Sequence, residues 1–299
     1  MSTSTAPTRA QIALAFATVY AVWGSTYLAI RYVVEVLPPL LAGGMRFVIA
    51  GSAVFGWMRW RGERPPTKTQ WKHAAVIGGL LILGGNGGVV WAEQRVPSGL
   101  AALLIATVPL WMGVLDAWHR RTWPSIAGLV GLGLGLIGVG VLIGPSLSGA
   151  HVVDPLGALV LLVASCSWAC GSVYTRRASL PSSALLATGM QMLCGGLLQC
   201  VVGILRGELP TLLEAHWTTA ATLGFWYLIV FGSLLGFTAY AWLLRTVSIA
   251  RVSTYAYVNP IVAVILGRVI GQEPLNARIV LAATMIVAGV ILMLTHRKS

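Results

Sequence analysis

Charge is what this chain has least of. Only 9% of its residues are Asp, Glu, Lys or Arg, against roughly a quarter in an ordinary soluble domain. No stretch between the apolar segments is long enough to fold as a soluble domain. Acidic groups are the scarcest: Glu35, Glu63, Glu93, Asp116, Asp154, Glu208, Glu214 and Glu273 are the full set, and each falls in a loop or near the end of an apolar segment. Histidines are also peripheral, with His73, His119, His151, His216 and His296 outside or at the edges of those segments. No zinc-ligand spacing or nucleophile elbow occurs. A membrane enzyme, which needs a histidine, a carboxylate pair or an activated nucleophile converging in a dry site, is therefore disfavoured. The few cysteines, Cys166, Cys170, Cys194 and Cys200, all lie within apolar segments. Cys166 and Cys170 share a helix face at i, i+4, but no histidine or further thiol stands beside them. They read as small packing residues, and no metal or cofactor is expected.

What the chain has in excess is apolar surface. At 57% hydrophobic residues and a mean hydropathy of +0.82, it cannot hide that content inside a globule in water, so lipid is the solvent. Segments of the roughly 20 residues needed to cross a bilayer fall at 11–30, 39–59, 72–91, 98–118, 123–144, 155–175, 182–205, 217–241, 249–270 and 276–295. Hydrocarbon offers backbone amides no partner, so each should be a helix. The expectation is an all-α membrane protein with ten transmembrane helices. The first segment lacks a convincing cleavage site and is read as a retained helix.

Lys and Arg stay on the cytoplasmic side of short loops. With the N-terminus inside, 14 of the 20 basic residues fall on that side, five fall outside (Arg31, Arg95, Arg206, Arg268, Arg278), and Arg46 lies within a helix. Both termini are then cytoplasmic. The +12 net charge is a product of this topology, and no nucleic-acid partner is expected, since no basic patch exists outside short loops.

The chain also repeats itself. Trp23-Gly24-Ser25-Thr26-Tyr27 is echoed by Trp168 and Gly171-Ser172-Val173-Tyr174, Gly44-Met45 by Gly189-Met190, Trp91 by Trp242, Pro109 by Pro260 and Pro124 by Pro274, in order and at offsets of 145 to 151. This is an internal duplication: residues 1–148 form one five-helix repeat and 149–299 the second. Five crossings per copy plant the second upside down. Inverted repeats can exchange two shapes between halves, which opens a central cavity to one side and then the other, with the substrate site near mid-depth where the halves meet.

These residues carry a resemblance. Trp23-Gly24-Ser25-Thr26-Tyr27, Gly44-Met45-Arg46-Phe47, Pro109, Asn259-Pro260 and Gly271-Gln272-Glu273-Pro274-Leu275 together resemble an EamA-type member of the drug/metabolite transporter superfamily over essentially the full length. Arg120-Arg121-Thr122-Trp123-Pro124 lacks the Gly-x-Glu usual before this proline, a departure confined to a loop. The resemblance implies a bacterial inner-membrane exporter of small metabolites, with amino-acid exporters, including aromatic ones, among the closest-looking relatives.

A polar group facing lipid is costly, so polar and aromatic residues within the spans should turn inward. The candidate substrate-binding residues are Trp23, Ser25, Thr26 and Tyr27; Asn86 and Trp91; Thr107 and Trp111; Trp168, Ser172 and Tyr174; Tyr240 and Trp242; and Tyr255, Tyr257 and Asn259. Aromatic walls with sparse donors suit a ligand with an apolar body and polar ends, such as an amino acid. Trp91 and Trp242 read equally as interfacial anchors. Arg46, about 10 Å below the outer interface at helical rise, needs a partner: a substrate carboxylate, backbone carbonyls or Glu93 would each serve. Its counterpart in the second repeat is Gln191. Pro109 and Pro260 should bend their helices, either as hinges for access switching or as static kinks. The glycines of the fifth span read as close packing within the monomer, while the Gly131/Gly135 and Gly140/Gly144 spacing leaves a dimer open.

No carboxylate sits at mid-span, so a facilitator running down a substrate gradient is expected, with Glu93 the candidate group should protons be coupled. A proton-coupled drug or metabolite efflux carrier, a lipid scramblase and a membrane enzyme are the rival readings.

Overall fold

The structure, a computed structural model, describes residues 7–120, 126–143 and 154–295, without the side chains of 116–120, 249, 250, 257 and 293–295. All regular structure among the described residues is helical. The long helices are α1 (Arg9–Val34), α2 (Pro39–Trp60), α3 (Lys68–Ala92), α4 (Ser98–Ile105 and, after a break, Val108–Arg120), α5 (Ile126–Ile143), α6 (Pro155–Thr175), α7 (Ala184–Leu205), α8 (Thr219–Thr246), α9 (Tyr255–Val269) and α10 (Ala277–Thr295). Eight are long and apolar enough to span a bilayer, and α9 and α10 contain the shorter apolar stretches Val258–Val269 and Ala277–Leu292. This is the all-α membrane architecture of about ten helices that the hydropathy pattern predicts. With about ten helices, the first residues of α1 and the last of α10 share one end of the bundle. We call that the terminal face, and the face holding loops 35–38, 93–97, 206–218 and 270–276 the distal face.

Local sequence sets the helix ends. Thr8 and Thr67 each start a helix with a reciprocal capping box, closed by Gln11 and Gln70. Asp154, Ser183 and Thr218 cap α6, α7 and α8 through their side chains. Such caps satisfy N–H groups that a helix start leaves unpaired. The ends of α2 and α7 are marked by Gly62 (φ 85°) and Gly207 (φ 79°), left-handed positions where only glycine is free of strain.

Packing crosses between the halves. The first helix, α1, packs on α8 and α9, while α6 packs on α3 and α4; α2 lies along α7, and α5 along α10. Small residues let the last two pairs approach closely. A Cβ on Gly51 of α2 would come within 2.7 Å of the Leu193 backbone nitrogen, and one on Gly289 of α10 within 2.5 Å of the Gly131 carbonyl. In lipid, where no hydrophobic drive joins helices, such backbone proximity supplies the packing attraction. The glycines of α5 divide accordingly: Gly135 and Gly138 meet Leu110 and Ile286, whereas Gly133 and Gly140 meet nothing within 4 Å. Exposed Leu14, Trp60, Leu159, Val163, Leu223 and Val269 form the outward apolar surface that lipid covers.

Three helices carry π-helical segments: Val19–Trp23 in α1, Gly79–Gly87 in α3 and Leu228–Phe237 in α8. The two prolines differ from the expectation that both bend a continuous helix. In α4 the helix stops at Ile105 and resumes at Val108, so Pro109 occupies the first turn of the new segment. Its missing N–H costs nothing there, and the amides of Leu110 and Trp111 both donate to the Thr107 carbonyl. Pro260 instead lies inside the uninterrupted α9, where one backbone hydrogen bond is lost.

Candidate functional site

The π-helical segments meet around one cavity. Trp23 comes from the segment in α1, Gly85 and Asn86 from that in α3, and Gly232 and Phe237 from that in α8; all five line a central cavity of about 70 Å³. A π turn widens the helix by one residue and re-aims side chains, which is why such turns gather at functional sites. Here glycine makes room: a Cβ on Gly85 would meet Trp168 at 2.6 Å, and one on Gly236 would meet the Trp23 indole nitrogen at 2.5 Å.

Equivalent tryptophans from the two halves form the aromatic wall. Trp23 and Trp168 meet edge to face with centroids 5.3 Å apart, a favourable arrangement of ring quadrupoles. Tyr240, fully buried, stands behind both, 4.8 Å from Trp23 and 5.4 Å from Trp168 by centroid. The Trp168 indole donates to the Tyr240 hydroxyl (2.9 Å), which lies 2.6 Å from the Ser172 hydroxyl. Trp23 donates a longer bond, 3.3 Å, to the Gly232 carbonyl. Tyr255 closes the group edge-on to Trp23.

One cation enters this wall. Arg46 of α2 is 3% exposed, stacks over Phe47 with its Cζ 4.5 Å from the ring centroid, and donates from Nη2 to Asn86 Oδ1 at 2.7 Å. Its Nε has no hydrogen-bond partner. A buried guanidinium that lines a cavity and is held by one neutral amide keeps hydrogen-bonding capacity in reserve, and it suits an acceptor arriving from outside the protein. On the opposite wall, with its amide nitrogen turned towards the carbonyls, Asn259 donates to Tyr255 and Tyr20 backbone oxygens.

The predicted site residues thus separate. The cavity wall holds Trp23, Thr26, Tyr27, Arg46, Asn86, Trp168, Tyr255 and Asn259. The others are placed elsewhere. Ser25 bonds the Tyr227 hydroxyl and the carbonyls of Ala21 and Val22. Ser172 and Tyr240 support Trp168 from behind. Thr107 pairs with Ser165, and Trp111 packs against Val108, Met112 and Ala169 on the far side of Trp168. Tyr174 meets His73 Nδ1 at 2.6 Å on the terminal face. Trp91 lies at the distal end beneath the guanidinium groups of Arg95 and Arg206, an anchor-like setting, and Trp242 packs at the core's edge. The Tyr257 side chain lies outside the described residues. Sequence reasoning missed the apolar part of the wall, Ile30, Phe47, Val89, Ile105, Ala164 and Phe237, for which polarity gives no signal.

On the distal face a carboxylate ties the halves together. Glu273, 7% exposed, accepts from the Ser98 amide (2.9 Å), the Ser98 hydroxyl (2.6 Å) and the Gly99 amide (3.0 Å), thereby capping α4. It also pairs with Arg31 of α1 at 3.0 Å, and Arg31 reaches Glu35 and the Gly271 carbonyl. Beside this latch opens a distal vestibule of about 400 Å³, bordered by Arg31, Glu93, Gln94 and Gln272. The corresponding place in the first half, Trp123-Pro124, lies outside the described residues. Contacts on the terminal face include the pairing of the Tyr20 and Thr254 hydroxyls (2.5 Å) and the bonds from Arg245 to the Pro181 and Ser182 carbonyls.

Comparison with known proteins bears on what such a cavity serves. The model of the EamA-like transporter family matches residues 11–144 and again 155–295. The chain belongs to the EamA-like transporter family. It is 40% identical over 282 residues to the uncharacterized inner membrane transporter YedA of Escherichia coli K12, covering 91% of this chain and 87% of that protein. The protein PecM of Dickeya dadantii is 30% identical (91% and 88% covered), and a probable amino-acid metabolite efflux pump of Salmonella typhimurium is 27% identical (91% and 90%). A solved crystal structure shares the fold at a TM-score of 0.67 and 22% identity, covering 95% of this chain and 96% of that one. The protein is accordingly a multi-pass membrane transporter.

Proposed function

We propose that this transporter exports amino acids or similar small metabolites across a bacterial inner membrane by alternating access, with both termini cytoplasmic and the halves 1–148 and 149–299 acting as inverted repeats. The observation that carries the reading is the meeting of Trp23 and Trp168, equivalent residues of the two halves, over a cavity whose one cation, Arg46, has donors to spare. Aromatic faces suit an apolar side chain and a guanidinium suits a carboxylate, so an amino acid with an apolar or aromatic side chain satisfies both walls at once. The name of the Salmonella relative points to the same class, and that of the Escherichia relative to the inner membrane. Two separate matches to one family model and the reciprocal packing of α1 on α8 and α9 and of α6 on α3 and α4 support the repeat arrangement.

A cavity of about 70 Å³ has space for about five to seven waters at 10–15 Å³ each, so an amino acid enters only when one side opens. The π-helical segments and Pro260 are the places where helix halves can shift. Net export follows the substrate gradient, since the cavity itself holds no carboxylate. The test is uptake of radiolabelled L-phenylalanine, L-tryptophan, L-methionine and L-threonine into proteoliposomes. Saturable flux that unlabelled substrate accelerates from the far side supports a carrier. Flux that never saturates, or lipid flipping without amino-acid flux, contradicts it.

A further inference from the structure

Glu93 is peripheral in sequence and enclosed in space. It stands one residue past the end of α3, borders the distal vestibule, and is 6% exposed, with neither carboxylate oxygen bonded to any protein group. Four groups from three other elements act on it electrostatically: Arg46 of α2, Arg31 and Tyr27 of α1, and Glu273 of the α9–α10 loop. Two of them are already engaged elsewhere. Arg31 is bonded to Glu35 and Glu273, and Glu273 caps α4. The neighbouring Arg95 lies against Trp91. Arg46, which points to the cavity and is not in bonding contact with Glu93, is the remaining cation.

An ionised carboxylate without hydrogen bonds is expensive to bury, and a cation nearby that has no ionic partner offsets part of that cost. Burial pushes the Glu93 carboxyl well above the ordinary carboxylate range, Glu273 acts in the same direction, and Arg46 and Arg31 oppose. We propose that Glu93 is a proton-binding site whose occupancy is set by whatever neutralises Arg46, so that an anionic group binding at Arg46 draws a proton from the vestibule onto Glu93. This rests on the proposed role of Arg46 in holding a substrate carboxylate. The step balances simply: both Glu93 oxygens are closed to solvent in this structure, and when the distal face opens a hydronium ion from the vestibule transfers one proton to a Glu93 oxygen and leaves as water, with no bond other than O–H changed. By linkage, protonation of Glu93 tightens anion binding by the same factor. Proton and substrate then travel together, and export driven by the substrate gradient carries protons outward.

The test is a pH titration of the purified full-length protein followed by difference infrared spectroscopy of the carboxylic acid C=O band. The wild type is expected to show a band that titrates above the usual carboxylate range near 4.3, that is missing in Glu93→Gln, and that moves to higher pH in Arg46→Gln, where the opposing cation is gone. A parallel Glu93→Asp variant should keep a titrating band, which separates loss of the carboxyl from loss of folding. Burial also raises the Glu208 carboxyl, so the comparison is of wild type against variant: a titration unchanged by Glu93→Gln, or a Glu93 band indifferent to Arg46→Gln, overturns the proposal. Adding L-phenylalanine to the wild type should increase the protonated fraction, and phenylethylamine, which lacks the carboxylate, should not. If the Glu93 band behaves as expected in both variants while no amino acid perturbs it, the proton site stands and the amino-acid reading falls.

Discussion

Arg46 and Gln191 are counterparts by the sequence repeat, both almost fully buried, yet they have opposite fates. Arg46 reaches the cavity, stacks on Phe47 and bonds Asn86. Gln191 stays between helices with its Oε1 unpartnered and takes no part in the cavity wall. Trp23 and Trp168, by contrast, remain matched and meet at the centre. Symmetry is thus kept where two rings must form one wall and broken where a single charge is wanted. A second buried cation would double the desolvation cost and repel the first. On the proposed function, the asymmetry would give a bound amino acid one orientation, its anionic end towards α2 and its apolar body against the tryptophans.

The largest effect expected from breaking this comparison is at its charged end. Arg46→Met should lower transport efficiency by tenfold or more, since a lost charge-assisted hydrogen bond is worth roughly 1.5–3 kcal/mol, while Gln191→Leu should stay within about threefold. Initial-rate uptake in proteoliposomes, with membrane insertion checked, measures both. Equal losses would mean that Arg46 serves structure alone.

Next comes the pair of rings. Trp168→Phe removes a short bond and leaves the buried Tyr240 hydroxyl with fewer partners, whereas Trp23→Phe removes only a long bond to a carbonyl. At about 1 kcal/mol per net hydrogen bond, the first should raise KM roughly fivefold and the second less than twofold. Saturation curves for the same substrate decide the order.

The distal latch compares charge with neutral contact. Glu273→Gln keeps one acceptor for the Ser98 and Gly99 amides but loses the ion pair with Arg31. Arg31 is about a third exposed, so solvent screens that pair and its contribution is small; with the weakened cap the stability cost should be about 1 kcal/mol. Maleimide labelling of a cysteine placed at Gln94 should rise, because the distal face opens more often.

The smallest effect concerns the prolines. Pro260→Ala restores a hydrogen bond inside α9 and should slow turnover two- to threefold without changing KM. Pro109→Ala, at a position where no bond is missing, should change neither.

How far the sequence could be read depends on the kind of signal. Scarce charge and ten apolar spans specify the helices, because every residue in a span contributes to hydropathy. Trp23 and Trp168 were visible as repeated landmarks in apolar stretches. Ser25 and Ser172 were equally visible but face away from the cavity, because a short hydroxyl in a helix is easily satisfied by nearby carbonyls and neighbouring tyrosines. The π-helical segments that carry Asn86 and Phe237 inward leave no mark on a 3.6-residue pattern. Nor does burial of Glu93 show in its position at a span end, since it is enclosed by groups from α1, α2 and the α9–α10 loop that are distant in sequence.

The central claim is that the space between the tryptophans and Arg46 opens to each face in turn. Its most direct measurement is labelling of Ile105→Cys, a cavity-wall position, in a protein whose four native cysteines are replaced, with a membrane-impermeant thiol reagent applied to one face at a time. The account predicts that the thiol reacts from both faces and that transported substrate protects it from each. Reaction from one face only, under every condition, would contradict it.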